Sequence, residues 1–264
     1  MRRPIVRLSS LQLTNIKNVK KGTIYMPNTV NKILSADKAE ILGIYGQNGS
    51  GKTAIVDALY FLQKVMIGVD LDQSLEDYMD MDSDTAEIFA DFNIFMDDIV
   101  FEIGYRLSLS REEKEVVISR ETLSAAKNEN GIRTNKTVFM DYQRDQANAI
   151  FKPQKRLDEI LEENKEIKTD LIVARKMAEK SNCSYIFGES SREIFCREYK
   201  NGFQQFSVII SSLFEFALKD LFVIRNTHSG VISANFVLPM AFRIENDNIG
   251  AKGDFAVSLT EPIL

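Results

Sequence analysis

The run Ile41-Leu42-Gly43-Ile44-Tyr45-Gly46-Gln47-Asn48-Gly49-Ser50-Gly51-Lys52-Thr53 constrains this chain more than any other stretch. Its second half has the spacing G-x-x-x-x-G-K-[ST]. An apolar run of strand length, residues 40–45, precedes it, and a helix-like run, residues 52–66, follows. That order predicts a strand, a tight glycine loop and a helix, the setting in which such a loop cradles phosphate. Gly46, Gly49 and Gly51 let the backbone turn successive N–H groups inward around anionic oxygens. The helix starting near Lys52 aims its positive end at the same point. Lys52 is then placed to reach the β- and γ-phosphates of a nucleotide, and Thr53 to ligate the Mg2+ that bridges them. Gln47, Asn48 and Ser50 complete the loop.

Composition narrows the rest. The chain has 264 residues, 44% of them hydrophobic and 27% charged, which suits a soluble globular protein with a sizeable core. No uninterrupted apolar segment reaches membrane-spanning length, and Met1-Arg2-Arg3-Pro4 leads into an alternating strand rather than a signal-peptide core. A cytoplasmic location without membrane partners is the expectation. Two cysteines, Cys183 and Cys196, and a single histidine, His228, exclude a disulfide framework or a Cys/His metal site. The cysteines read as small half-buried helix residues and His228 as a turn residue. Net charge is −5 but uneven: residues 1–36 carry basic side chains and no acid, whereas residues 65–105 carry acids and no Lys or Arg. An acidic face of that kind repels a nucleic-acid backbone, which leaves residues 1–36 as the local candidate for such contact.

Along the chain, the pattern predicts strands at 5–13 and 22–26, a loop at 28–38, and a strand at 40–45 feeding the glycine loop and its helix. Residues 71–81 are acidic and suit a short helix or a lid. Strands at 86–95 and 99–109 meet at an Asp97-Asp98 turn, with further strands at 116–123 and 137–142. Composition then changes: residues 155–180 are dense in Lys and Glu with apolar side chains at three-to-four spacing, an amphipathic helix. Residues 190–200 and 204–219 read as two more helices, 221–224 as a strand and 236–242 as another. The expected organisation is a loop-bearing antiparallel β lobe at 1–143, a helical subdomain at 144–219, and the start of a second lobe at 220–264.

Gly46-Gln47-Asn48-Gly49-Ser50-Gly51-Lys52-Thr53 has the form G-x-N-G-x-G-K-[ST]. Together with Leu11-Gln12-Leu13-Thr14-Asn15-Ile16-Lys17-Asn18 and the tract from Thr53 to Phe61, it resembles the ATPase heads of the SMC, RecF and OLD type, the ABC-like branch of P-loop ATPases. The resemblance spans residues 5 to about 240, with specificity in the loop alone. It implies an α/β fold with a mixed sheet, the P-loop NTPase of ABC/SMC-head type, with an antiparallel β lobe and a helical subdomain. It also implies ATP and Mg2+ as cofactors, and a homodimer or hetero-partner closed over nucleotide. DNA is implied as a possible partner, in repair or antiviral defence. It places Lys17 near the nucleotide phosphates, where composition alone reads a solvated lysine. It offers Gln143, at the end of a first-lobe strand, as a contact to Mg2+ and the attacking water, where an exposed loop residue is the plainer reading.

The chain departs from that pattern where water would be activated. No four-residue apolar run ends in Asp-Glu; Ile99-Val100-Phe101-Glu102 precedes the helical region, and Leu221-Phe222-Val223-Ile224 ends in Arg225. Ser211-Ser212-Leu213 sits in an apolar helix and makes no signature motif. The expectation is the N-terminal part of a longer ATPase that binds ATP weakly and hydrolyses it slowly by itself. Two other classes stay open: a small P-loop phosphotransferase, which calls for βαβ alternation not seen here, and a non-catalytic nucleotide-dependent scaffold. A GTPase is disfavoured because Asn135-Lys136-Thr137-Val138 lacks the aspartate that reads guanine.

Overall fold

Period-two alternation through the first half of the chain becomes a single antiparallel sheet. The computed structural model describes residues 3–71, 73–112, 115–144, 152, 154–196, 204–226 and 232–233. Its strands are β1 (Ile5–Ile16), β2 (Val19–Tyr25), β3 (Thr85–Met96), β4 (Ile99–Glu112), β5 (Glu115–Glu129), β6 (Ile132–Arg133) and β7 (Thr137–Gln143). They lie in the order β2-β1-β3-β4-β5, with β6 and β7 both paired to β5. The Asp97-Asp98 turn is where the sequence puts it, with Asp97 at φ 46°.

Between β2 and β3 the chain forms a short α1 (Pro27–Val30), then α2 (Lys52–Met66) and a 3-10 turn at Gln73–Tyr78. After β7 come α3 (Gln154–Glu163), α4 (Glu166–Ser181), α5 (Glu189–Cys196), α6 (Gln204–Glu215) and a π-helical turn, Phe216–Asp220. The single helix expected over 155–180 is broken at Asn164-Lys165. Among the described residues every pairing in the sheet is antiparallel, so the mixed sheet expected from the resemblance is not formed there. The missing member is residues 40–45, which take no strand conformation. Both edges of β1 are filled, by β2 and β3, and a strand without a ladder partner leaves its backbone groups to water. Ile41 and Tyr45 are accordingly 92% and 93% exposed.

One sheet face packs the helices. Leu13, Ile88, Leu107, Glu121 and Tyr142 form a register row across β1, β3, β4, β5 and β7, and all but the carboxylate suit an apolar core. Phe92 meets Phe216 edge-on at 5.8 Å, Tyr105 meets Phe187 at 5.3 Å, and Tyr142 stacks on Tyr185 at 5.0 Å. Helix α2 is buried along most of its length, with Phe61 stacked on Tyr78 at 4.8 Å. Its buried Gln63 amide donates to the carbonyls of Ala217 (3.0 Å) and Leu221 (2.6 Å), satisfying acceptors that the π turn leaves open. At the far end of α2, Gly68 sits at φ 72°. A Cβ there would lie 2.2 Å from the Phe187 carbonyl, so helix and α4–α5 turn meet at backbone contact.

Residues from Phe222 on form a separate compact unit, in which β8 (Arg225–Asn226) pairs with β9 (Ile232–Ser233). Residues 221–224 are not a strand as expected; the short strand begins at Arg225. His228 and the expected strand at 236–242 lie outside the described residues. No helix among the described residues is long and apolar enough to cross a membrane.

Glu121 is a fully buried acid of this core. Its carboxylate accepts from the Tyr105 hydroxyl (2.6 Å), the Ser184 hydroxyl (2.6 Å) and the Tyr185 N–H (2.7 Å), and so ties the sheet to the turn before α5. Burial pushes its pKa above the ordinary glutamate value, against the opposing hydrogen bonds from Ser184 and Tyr105. Glu121→Ala strips an acceptor from three buried donors and is expected to cost about 3 kcal/mol in urea unfolding. The folded state holds the Glu121 proton more tightly than the unfolded chain. Its contribution is therefore full below the unfolded value of 4.5 and fades as pH rises through the raised folded value. The stability difference between wild type and Glu121→Ala should fall with pH over that window; a flat or rising difference contradicts the assignment.

Candidate functional site

The glycine loop lies between the unpaired residues 40–45 and the first turn of α2. Gly49 and Gly51 take φ 83° and 88°, the left-handed turns that glycine alone adopts freely, and Gly51 is the residue from which α2 starts. No side chain caps that start, so the first-turn N–H groups of a buried fifteen-residue helix open toward the loop. Residues 46–50 and Thr53 are exposed, and Lys52 is half-buried. The loop closes on itself through the Ser50 N–H to the Gln47 carbonyl, 3.2 Å. The Lys52 ammonium donates to the carbonyls of Gly46 and Gln47, both at 2.6 Å, and reaches the Ser50 hydroxyl at 3.3 Å. Its charge therefore stands in the mouth of the loop, where phosphate oxygens can replace carbonyls as its acceptors.

The turn between β1 and β2 rests on this loop. Asn18 donates its side-chain amide to the Gly49 carbonyl at 2.5 Å. Val19 fills the space beside Gly51: a Cβ on Gly51 would come within 2.6 Å of the Val19 Cγ2 methyl. Lys17, at φ 50°, pairs its ammonium with the Asp57 carboxylate, which is 2% exposed on the second turn of α2. The turn is held from behind as well. Lys17 N–H donates to the Tyr78 carbonyl (3.0 Å), Asp80 N–H donates to the Asn15 carbonyl (2.9 Å), and Lys20 pairs with Asp80 at 2.6 Å.

Gly46, Gln47, Asn48, Gly49, Ser50, Gly51, Lys52, Thr53 and Lys17 are thus brought together, with Lys17 directed at a carboxylate. Gln143 is not among them. It ends β7, four strand steps along the sheet from β1, and its carbonyl accepts from Arg175 of α4 at 2.7 Å. Asn18, Val19 and Asp57 were not singled out for the site by sequence reasoning. Among the described residues no group of three or more His, Cys, Asp or Glu side chains is placed to hold a metal. Both cysteines are free thiols, Cys183 half-buried and Cys196 exposed. Burial raises the Cys183 pKa to about 11, which favours the thiol over the nucleophilic thiolate.

A model of the family described as "AAA domain, putative AbiEii toxin, Type IV TA system" matches residues 41–169, a little under half of the chain. The match opens at the apolar run before the glycine loop, takes in α2 and the sheet from β3 to β7, and ends inside α4. No curated protein matches the chain. The family match and the loop together support a P-loop ATPase domain of AAA type, a nucleotide-binding unit that ordinarily works with Mg2+.

The two left-handed glycines separate backbone strain from steric conflict. Gly49 has no neighbour within 4 Å of an added Cβ, whereas Gly51 has the Val19 methyl. Gly49→Ala should cost about 1–2 kcal/mol in stability from backbone strain alone. Gly51→Ala should cost more, and Val19→Ala in the same chain should recover the excess. Equal losses for the two glycines, measured by chemical denaturation, contradict the packing of Val19 on the loop.

Proposed function

We propose that this chain is the ATP- and Mg2+-binding part of an ATPase of the SMC, RecF and OLD type, in which bound ATP switches association with a second copy or a partner protein. The observation that carries this is the Gly46–Thr53 loop at the uncapped start of α2, with the Lys52 ammonium in its mouth. Two features favour this branch of P-loop ATPases: Asn48 in the loop, and the long antiparallel meander after the P-loop helix. That meander also weighs against a metabolite kinase, whose sheet is parallel and βαβ-built. Service in DNA repair or antiviral defence belongs to the same proposal and rests on the resemblance. The groups that would activate water, an acidic pair at a strand end and a signature serine from a facing subunit, have no counterpart in this sequence. Binding without efficient turnover is the consequence.

The test is titration of the purified chain with a fluorescent ATP analogue, with and without Mg2+. Lys52→Ala removes a charge-assisted contact and should weaken binding at least about tenfold. Thr53→Ala should leave binding in EDTA unchanged and remove the gain that Mg2+ confers. Binding that is indifferent to Lys52, or turnover by this chain at the rate of an efficient ATPase, overturns the proposal.

A further inference from the structure

Lys17 is an unusual residue for its place. It occupies a left-handed position, φ 50°, in a two-residue hairpin turn, where Gly, Asn or Asp pays less in strain. Strain held in this way is a pointer to function when the side chain has a use. Its ammonium reaches the buried Asp57 carboxylate one helical turn below Thr53, and the two residues that follow it both press on the P-loop. Asn18 grips the carbonyl of one left-handed glycine, and Val19 abuts the other. Residues 40–45, on the loop's N-terminal side, have no ladder partner, so they lend it no such support.

We propose that Lys17, Asn18 and Asp57 are positioning residues of the nucleotide site, which set the curvature of the P-loop without touching the nucleotide. The Lys17–Asp57 pair locks the β1–β2 turn to α2. The turn then fixes the Gly49 carbonyl outward through Asn18, and this holds the neighbouring loop N–H groups inward. Lys17 on this account acts through Asp57 and the turn, not as a ligand of phosphate. The inference rests on the P-loop being a nucleotide site, and it adds a means of setting affinity that lies outside the G-x-x-x-x-G-K-[ST] spacing.

The experiment is a double-mutant cycle on MgATP and MgADP binding, with thermal denaturation as a check on folding. Lys17→Met, Asp57→Asn and Asn18→Ala should each raise Kd about three- to tenfold, by a similar factor for ATP and ADP. Lys17→Met/Asp57→Asn should lose little more than either single variant, because each already breaks the same pair. Lys17→Arg should restore most of the affinity. Asn18→Ala removes only a neutral, exposed hydrogen bond and so guards against loss of fold in the other two. A Lys17 effect confined to ATP, with Asp57→Asn neutral and the two losses additive, identifies a direct phosphate ligand and overturns the inference. Wild-type affinity in Asn18→Ala and Lys17→Met overturns it too. Failure of the wild-type chain to bind either nucleotide instead overturns the functional reading on which it stands.

Discussion

A glycine-rich loop has no rigidity of its own, and the structure of this chain depends on how that loop is braced. Helix α2 supplies one wall and the β1–β2 turn the other. The turn is joined to the helix by a Lys17–Asp57 ion pair whose acidic member is buried. Its buried carboxylate is screened less by water and salt than an exposed one, which makes the contact stronger than a surface ion pair. On the proposal above, loop, helix and hairpin form one unit. The 73–80 segment anchors that unit from behind through Tyr78 and Asp80.

The same helix carries the unit into the rest of the fold. Its flank stacks Phe61 on Tyr78, its last turn holds the π turn through Gln63, and Gly68 beyond its end meets the 184–188 turn at backbone contact. Glu121 fastens that turn to the sheet. The apolar residues 41–45 are the opposite case: a strand by sequence pattern, but without a ladder partner and exposed in the structure.

Local pattern was legible where local forces decide. Helix α2 runs over the residues its apolar spacing gave, and β3 and β4 meet at Asp97-Asp98. The left-handed glycines sit where the loop spacing requires them. What sequence reading missed depends on pairing at a distance. Whether 40–45 becomes a strand turns on a neighbour that no window of sequence contains. The break at Asn164-Lys165 splits a continuous amphipathic pattern, with Asn164 interrupting the apolar seam as its only sign. Glu121 shares parity with Leu123, a hint of an inward face that charge argued against. The resemblance places Lys17 near the phosphates; Asp57, with which it pairs in the structure, lies forty residues away and reads in sequence as one more polar helix position.

The account makes the P-loop and the β1–β2 turn a single nucleotide-responsive unit, and hydrogen exchange measures that directly. With saturating MgATP, amides in residues 46–53 should slow, and those in residues 15–20 should slow with them, while the β4–β5 hairpin stays unchanged. Protection of the loop without the hairpin turn would contradict the coupling. No protection in either segment would contradict nucleotide binding itself.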